Sequence, residues 1–131
     1  MKAIDSSSLT KYFSREDGWQ KVGEILLEGA ITLDLSIKEV ANALWRKILS
    51  QEAEVEDVEE ILRDLIRSDA IKIHRQEDYL IAAFKTAIKH RITVYDSLFI
   101  ELARSAKIEL VTSDDKQAEA AKKEGIDVVK V

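Results

Sequence analysis

Four acidic residues, Asp5, Glu39, Asp96 and Asp114, each stand beside a short apolar run or open a helical pattern. Asp5 ends the run KAI, Glu39 falls in the first turn of a helix that starts at Ser36, Asp96 follows Thr93 and Tyr95, and Asp114 follows ELVT. Taken singly, each is explained as a cap, because hydroxyls and carboxylates accept hydrogen bonds from the free N–H groups of a first helical turn. Asp5 precedes Ser6-Ser7-Ser8, Ser36-x-x-Glu39 spells a capping box, and Thr93-x-x-Asp96 and Ser113 with Asp114 or Asp115 allow the same reading. Taken together at one end of a sheet, the four would repel one another, and a bound divalent cation removes that conflict. Donors that are all oxygen suit Mg²⁺ or Mn²⁺ over zinc or copper. Such an ion acidifies a bound water and stabilises charge on a phosphodiester, so the chemistry implied is phosphodiester hydrolysis.

What the chain lacks narrows the alternatives. With no cysteine, thiol catalysis, disulfide scaffolds and Cys-based zinc sites are excluded, and the two histidines, His74 and His90, are not at a metal-binding spacing. No GxxxxGK or GxGxxG occurs, which argues against a nucleotide-binding enzyme. The net charge of −5 removes the overall basic signature of a nucleic-acid binder. Phosphate contacts would therefore fall to local cations near the acids in sequence: Lys11, Arg15, Lys38, Arg46, Lys47 and Lys116. Arg46 has a competing reading as an ion-pair partner of Glu39.

The elements that position these residues alternate. Apolar runs of strand length occur at Lys2–Ile4, Ala30–Leu33, Ile71–Ile73, Glu109–Thr112 and Asp127–Val131. Between them, Ile37, Val40, Ala41, Leu44, Trp45, Ile48 and Leu49 recur every three or four residues and predict a helix from Ser36 to about Gln51. Val55–Ile66 and Leu98–Ala106 give similar stripes, and Gly125 after Glu124 is a stop signal for the helix that follows Ser113. Strands separated by helices predict one three-layer α/β/α domain over residues 1–131 with a mostly parallel central sheet. On the Ser36 helix, Glu39 projects almost opposite the apolar stripe and is expected to face solvent. Asp96 lies at the edge of its own stripe, where a lone carboxylate would be partly desolvated.

The ordered set KAIDSSSL, LDLSIKEVANALWRK, ITVYDSLFIELA and LVTSDDKQAEAA resembles the PIN-domain ribonucleases, in particular the VapC-type toxins, over almost the whole chain. The resemblance matches Asp5 with Ser6, Glu39 with Asn42, Asp96 with Tyr95 and Ser97, and Thr112 with Asp114. Asp5, Glu39, Asp96 and Asp114 are then the catalytic acids, the three aspartates metal ligands, and Ser6, Asn42 and Thr112 supporting residues. It implies Mg²⁺- or Mn²⁺-dependent cleavage of RNA, an antitoxin partner and a homodimer. The fourth acid is ambiguous between Asp114 and Asp115, with T-x-D favouring Asp114; Asp34 reads better as a turn or cap residue.

Two rival functions stand against this reading. A phosphoacceptor receiver domain would need an acidic pair after the first strand and a lysine after a late one, and neither is found. A PIN-like fold kept only for binding, with its acids acting as caps, is the other alternative. The first residues lack the plan of a signal peptide and no apolar run would span a bilayer, so a cytoplasmic protein is expected. The broad apolar faces of Val55–Ile66 and Tyr79–Ile92, including Leu62, Leu65, Ile66, Leu80, Ile81, Phe84 and Ile88, suggest a self-complementary interface.

Overall fold

A computed structural model describes residues 1–131. The elements run β1 (Lys2–Ile4), α1 (Ser6–Phe13), α2 (Trp19–Leu27), β2 (Ala30–Leu33), α3 (Asp34–Leu49), α4 (Val55–Arg67), β3 (Ile71–His74), α5 (Leu80–His90), α6 (Val94–Ala106), β4 (Leu110–Thr112), α7 (Asp115–Lys123) and β5 (Val128–Lys130), with a 3₁₀ turn at Gln76–Tyr79. The five strands form one sheet in the order β3-β2-β1-β4-β5, and every pairing is parallel.

Strand periodicity sorts the core into two halves. Ala3, Ile31, Leu33 and Leu110 project to one face, where they pack with Ala83 of α5, Leu98 and Leu102 of α6 and Ala121 of α7. Their neighbours Ile4, Ala30 and Val111 project to the other, against Leu9 of α1, Val22 of α2, Val40 and Leu44 of α3 and Leu65 of α4. The result is the expected three-layer α/β/α architecture, with α1–α4 on one side of the sheet and α5–α7 on the other.

The strand order fixes where a site can form. The chain lays β2 and then β3 outward from β1 and returns to place β4 on the opposite side of β1. Crossovers therefore leave β1 and β4 toward opposite faces, and a crevice opens beyond their carboxyl ends. Asp5 follows β1 directly and Asp114 follows β4 after one intervening residue, Ser113, and the register Ile4 to Val111 sets Asp5 beside Thr112.

Three expectations change. Helix α3 starts at Asp34, two residues earlier than its apolar stripe indicates, and no side chain caps it. Ser36 lies inside the helix, fully buried and hydrogen-bonded to Thr32, so the Ser36/Glu39 capping box does not form. The chain enters the helix directly from β2, and Asp34 Oδ1 accepts the backbone N–H of Gln76 at 3.0 Å, tying α3 to the segment after β3. The surplus apolar area on α4 is smaller than the pattern suggests: Leu65 is 1% exposed and Leu62 half-buried, both consumed by the core, while Ile66 stays exposed. On α5 the apolar face does stay open, with Leu80, Ile81, Phe84 and Ile88 all exposed. No helix is long and apolar enough to cross a membrane.

Candidate active site

The four acids come from four separate elements and line one cavity of about 400 Å³. Asp5 caps α1, Glu39 projects from α3 in one helical layer, Asp96 from α6 in the other, and Asp114 caps α7. The capping readings of Asp5, Thr93 and Asp114 therefore hold alongside their place in the cavity: Asp5 Oδ1 accepts from Ser8 N at 2.9 Å, Thr93 Oγ1 from Asp96 N at 3.1 Å, and Asp114 Oδ1 from Gln117 N at 2.7 Å.

Asp5 is the anchor. It is buried, and its Oδ2 accepts from Thr112 Oγ1 at 2.7 Å and from Ser7 Oγ at 2.7 Å. Both hydroxyls are themselves acceptors: Thr112 Oγ1 takes the N–H of Asp114 at 3.0 Å, and Ser7 Oγ takes that of Ser113 at 3.1 Å. The T-x-D spelling thus has a structural meaning, because one hydroxyl links the carboxylate after β1 to the backbone after β4. Burial raises the Asp5 carboxyl above the usual aspartate range, and the bonds from Thr112, Ser8 and Ser7 oppose that rise.

Glu39 does not face open solvent. Its side chain is half-buried and its Oε1 accepts from Ser6 Oγ at 2.7 Å, a contact between α1 and α3 that no helical-wheel argument contains. Burial pushes its pKa up, with the Ser6 bond opposing and the Asp5 charge adding to the rise. Asp96, also half-buried, is raised to about 6, first by burial and then by the charge of Asp114, with smaller contributions from Asp5 and Glu39. The mutual repulsion of the four acids is therefore felt most at Asp96.

Gln117 sets the spacing between the two helical starts. It is 1% exposed, its Nε2 donates to the backbone carbonyl of Asp96 at 2.9 Å, and its own N–H is held by Asp114. Sequence reasoning missed it, together with Ser7 and Glu16, which also line the cavity. The available signal for Gln117 was its place three residues after a capping aspartate; for Ser7 it was the serine run itself.

Asp115 points away: it is exposed and pairs with Lys130 at 2.8 Å, leaving Asp114 as the acid after β4 that enters the cavity. Of the proposed phosphate contacts, Lys11 lines the cavity. Arg15 is stacked 3.9 Å above the Trp19 ring and Lys47 is paired with Glu16 at 3.8 Å. Asn42, Lys38 and Arg46 lie on α3 outside the cavity lining, and Arg46 makes no ion pair with Glu39. Lys116 lines a different cavity.

The donor set suits a hard cation. It offers carboxylate and hydroxyl oxygens with no nitrogen or sulfur ligand, and it carries repulsion that a cation would relieve. No three of the acids converge closely enough to hold an ion by themselves. A cation placed here would have to complete its coordination with water or substrate oxygens, as Mg²⁺ commonly does.

Comparison with known proteins agrees with this architecture. The PIN domain family model matches residues 2–123. The chain is 40% identical over 121 residues to Ribonuclease VapC3 of Pyrobaculum aerophilum, covering 88% of this chain and 91% of that protein. Among solved structures it is similar in fold to PAE2754 from Pyrobaculum aerophilum, with a TM-score of 0.73 and 24% identity over 98% of this chain and 83% of that one. A toxin–antitoxin complex from Klebsiella pneumoniae gives a TM-score of 0.63 at 16% identity, covering 90% of each chain. FitAcB from Neisseria gonorrhoeae gives 0.63 at 14% identity, covering 99% of this chain and 97% of that one.

Proposed function

Because the chain belongs to the PIN-domain family, we propose that residues 1–131 form one nuclease domain that hydrolyses RNA phosphodiesters in the cytoplasm as the toxin of a toxin–antitoxin pair. The observation that carries this reading is the gathering of Asp5, Glu39, Asp96 and Asp114 from four elements into one cavity at the crevice between β1 and β4. The relative named Ribonuclease VapC3 and the toxin–antitoxin complex among the structural neighbours support the substrate class and the partner.

In this reading Asp5, Asp96 and Asp114 would share Mg²⁺ or Mn²⁺ with bound waters and the substrate phosphate, and the ion would supply charge neutralisation at the phosphate and a more acidic water. The chain's own groups do the rest. Thr112, Ser7 and Ser8 keep Asp5 oriented with its oxygens toward the crevice. Glu39, raised in pKa and aimed by Ser6, accepts the proton of the attacking water. Attack forms the new P–O bond as the bond to the leaving ribose oxygen breaks, and solvent protonates that oxygen. Lys11 at the cavity wall contacts a phosphate oxygen. Cleavage of an unstructured RNA is expected to stop on chelation and to return with Mg²⁺ or Mn²⁺. A rate unchanged in excess EDTA overturns the metal assignment.

The same acidic cavity suits a guanidinium, which pairs with carboxylates bidentately, so an antitoxin that inserts an arginine would block the site. The exposed stripe of Ile81 (71%), Phe84 (55%) and Ile88 (64%) on α5 is assigned to a second copy of the chain. Sedimentation equilibrium at micromolar concentration is expected to show a dimer and Phe84→Glu a monomer. A monomeric wild type removes the assignment.

A further inference from the structure

We propose that a basic cavity next to the acid cleft holds a phosphate of the same RNA strand that flanks the scissile one; this rests on the ribonuclease reading above. The cavity encloses about 230 Å³ and is lined by His90 and Arg91 at the end of α5 and by Lys116, Glu119 and Lys123 of α7. Lys123 is neutralised by Glu119 at 3.2 Å, whereas Arg91 and Lys116 enter no ion pair and remain available to an anion. His90 Nε2 is buried, and its nearest charged neighbour is Glu124 Oε1 at 3.6 Å, so the anion contacts fall to Arg91 and Lys116.

The two cavities have no lining residue in common, but adjacent positions of the chain line them. Lys116 stands between Asp114 and Gln117, both of which line the acid cleft, so the first turn of α7 separates one cavity from the other. Across from it, Arg91 and Ile92 immediately precede Thr93, the cap of the helix that carries Asp96. A strand leaving the acid cleft over these two helix starts meets Arg91 and Lys116 next.

Charge explains why such a contact is needed. The chain carries a net charge of −5, and the acid cleft repels the polyanion it is meant to cut. Affinity for RNA then depends on cations placed where the flanking phosphates run, and Lys11 is the single basic residue lining the acid cleft. The cavity also favours phosphate over a protein partner, because Ile92 and Ala120 are its only apolar lining and leave little for an interface to bury.

The test uses the double variant Arg91→Glu/Lys116→Glu, neither residue lining the acid cleft, with Lys107→Glu at the opposite end of the sheet as a charge control. Binding of a fluorescent twelve-nucleotide RNA in EDTA is followed by anisotropy against salt, and cleavage kinetics are measured on that RNA and on a trinucleotide. The double variant is expected to bind the long RNA at least about tenfold more weakly, with the slope of log K against log salt shallower by about 0.7 for each phosphate no longer neutralised. Its KM on the long RNA should rise with kcat retained, while trinucleotide cleavage stays at the wild-type level. Equal losses in the Lys107→Glu control, equal losses on both substrates, or unchanged affinity and slope would each overturn the proposal. A protein that binds RNA through Arg91 and Lys116 yet cleaves neither substrate keeps the phosphate site and refutes the ribonuclease reading. Cleavage that is indifferent to charge reversal does the opposite.

Discussion

Replacing Asp96 by asparagine should cripple cleavage and, at neutral pH without metal, raise the melting temperature. Both effects come from one cause. Asp96 is half-buried and its pKa is raised to about 6 by burial and by the neighbouring charge of Asp114. Its value in the unfolded chain is 3.8, so between these two pH values the folded protein retains a proton that the unfolded chain has released. Folding stability therefore declines as pH rises through that window, and the full penalty is present above about pH 6. A shift of this size corresponds to a ceiling of roughly 3 kcal/mol, which solvent screening at a half-exposed group reduces to about 1 kcal/mol. For a domain of this length that is about 4 °C in Tm. Asparagine keeps the shape and removes the charge, so metal-free Asp96→Asn should melt higher than wild type at pH 7 and match it near pH 4. Cleavage should fall by roughly three orders of magnitude, the scale of losing one preorganised electrostatic group. Added Mg²⁺ should stabilise the wild type and leave the variant unmoved. Parallel pH profiles of Tm for the two proteins would show that Asp96 does not carry the repulsion assigned to it.

Legibility in the sequence divided along the range of the interactions. Strand and helix periodicity are local, so the alternation of elements, the parallel sheet and the placing of Asp5 and Asp114 at strand ends could be read from spacing alone. The capping roles of Asp5, Thr93 and Asp114 were legible for the same reason, since a cap bonds within three residues. Glu39 shows the limit. Its local spelling with Ser36 suggested a capping box, whereas its actual partner is Ser6, 33 residues away on a different helix. Nearness in sequence does not place a cation in the same cavity as an acid, because a helix turns by about 100° at each step, and Lys116 beside Asp114 opens onto the neighbouring cavity. For Arg15 the partners are aromatic: its guanidinium stacks 5.7 and 3.9 Å from the Tyr12 and Trp19 rings. The role of Gln117 depends on where the start of α6 meets the start of α7, and that meeting is a property of the tertiary fold.

Removing a single hydroxyl should destabilise the fold by more than removing the Asp96 charge stabilises it. Thr112 is fully buried, and its Oγ1 both donates to Asp5 Oδ2 and accepts from Asp114 N. Thr112→Val has nearly the same shape but leaves Asp5 Oδ2 with Ser7 as its one remaining donor and the part-buried Asp114 N–H without its acceptor, at a cost of about 2 kcal/mol and about 8 °C in Tm. Thr112→Ser retains the hydroxyl and should lose much less. The substitution also acts on the chemistry in a direction that can be signed. Burial raises the Asp5 carboxyl, and the Thr112 hydrogen bond is the largest of those holding it down. Without that bond Asp5 stays protonated to higher pH, while metal binding and hydrolysis need it ionised. The acid limb of the kcat/KM profile should therefore move to higher pH in Thr112→Val and remain near wild type in Thr112→Ser. An effect that came only from looser packing would lower Tm and activity at every pH alike. A Thr112→Val protein with the wild-type melting temperature and an unmoved acid limb would mean that the link between the carboxylate after β1 and the backbone after β4 is not what holds the site together.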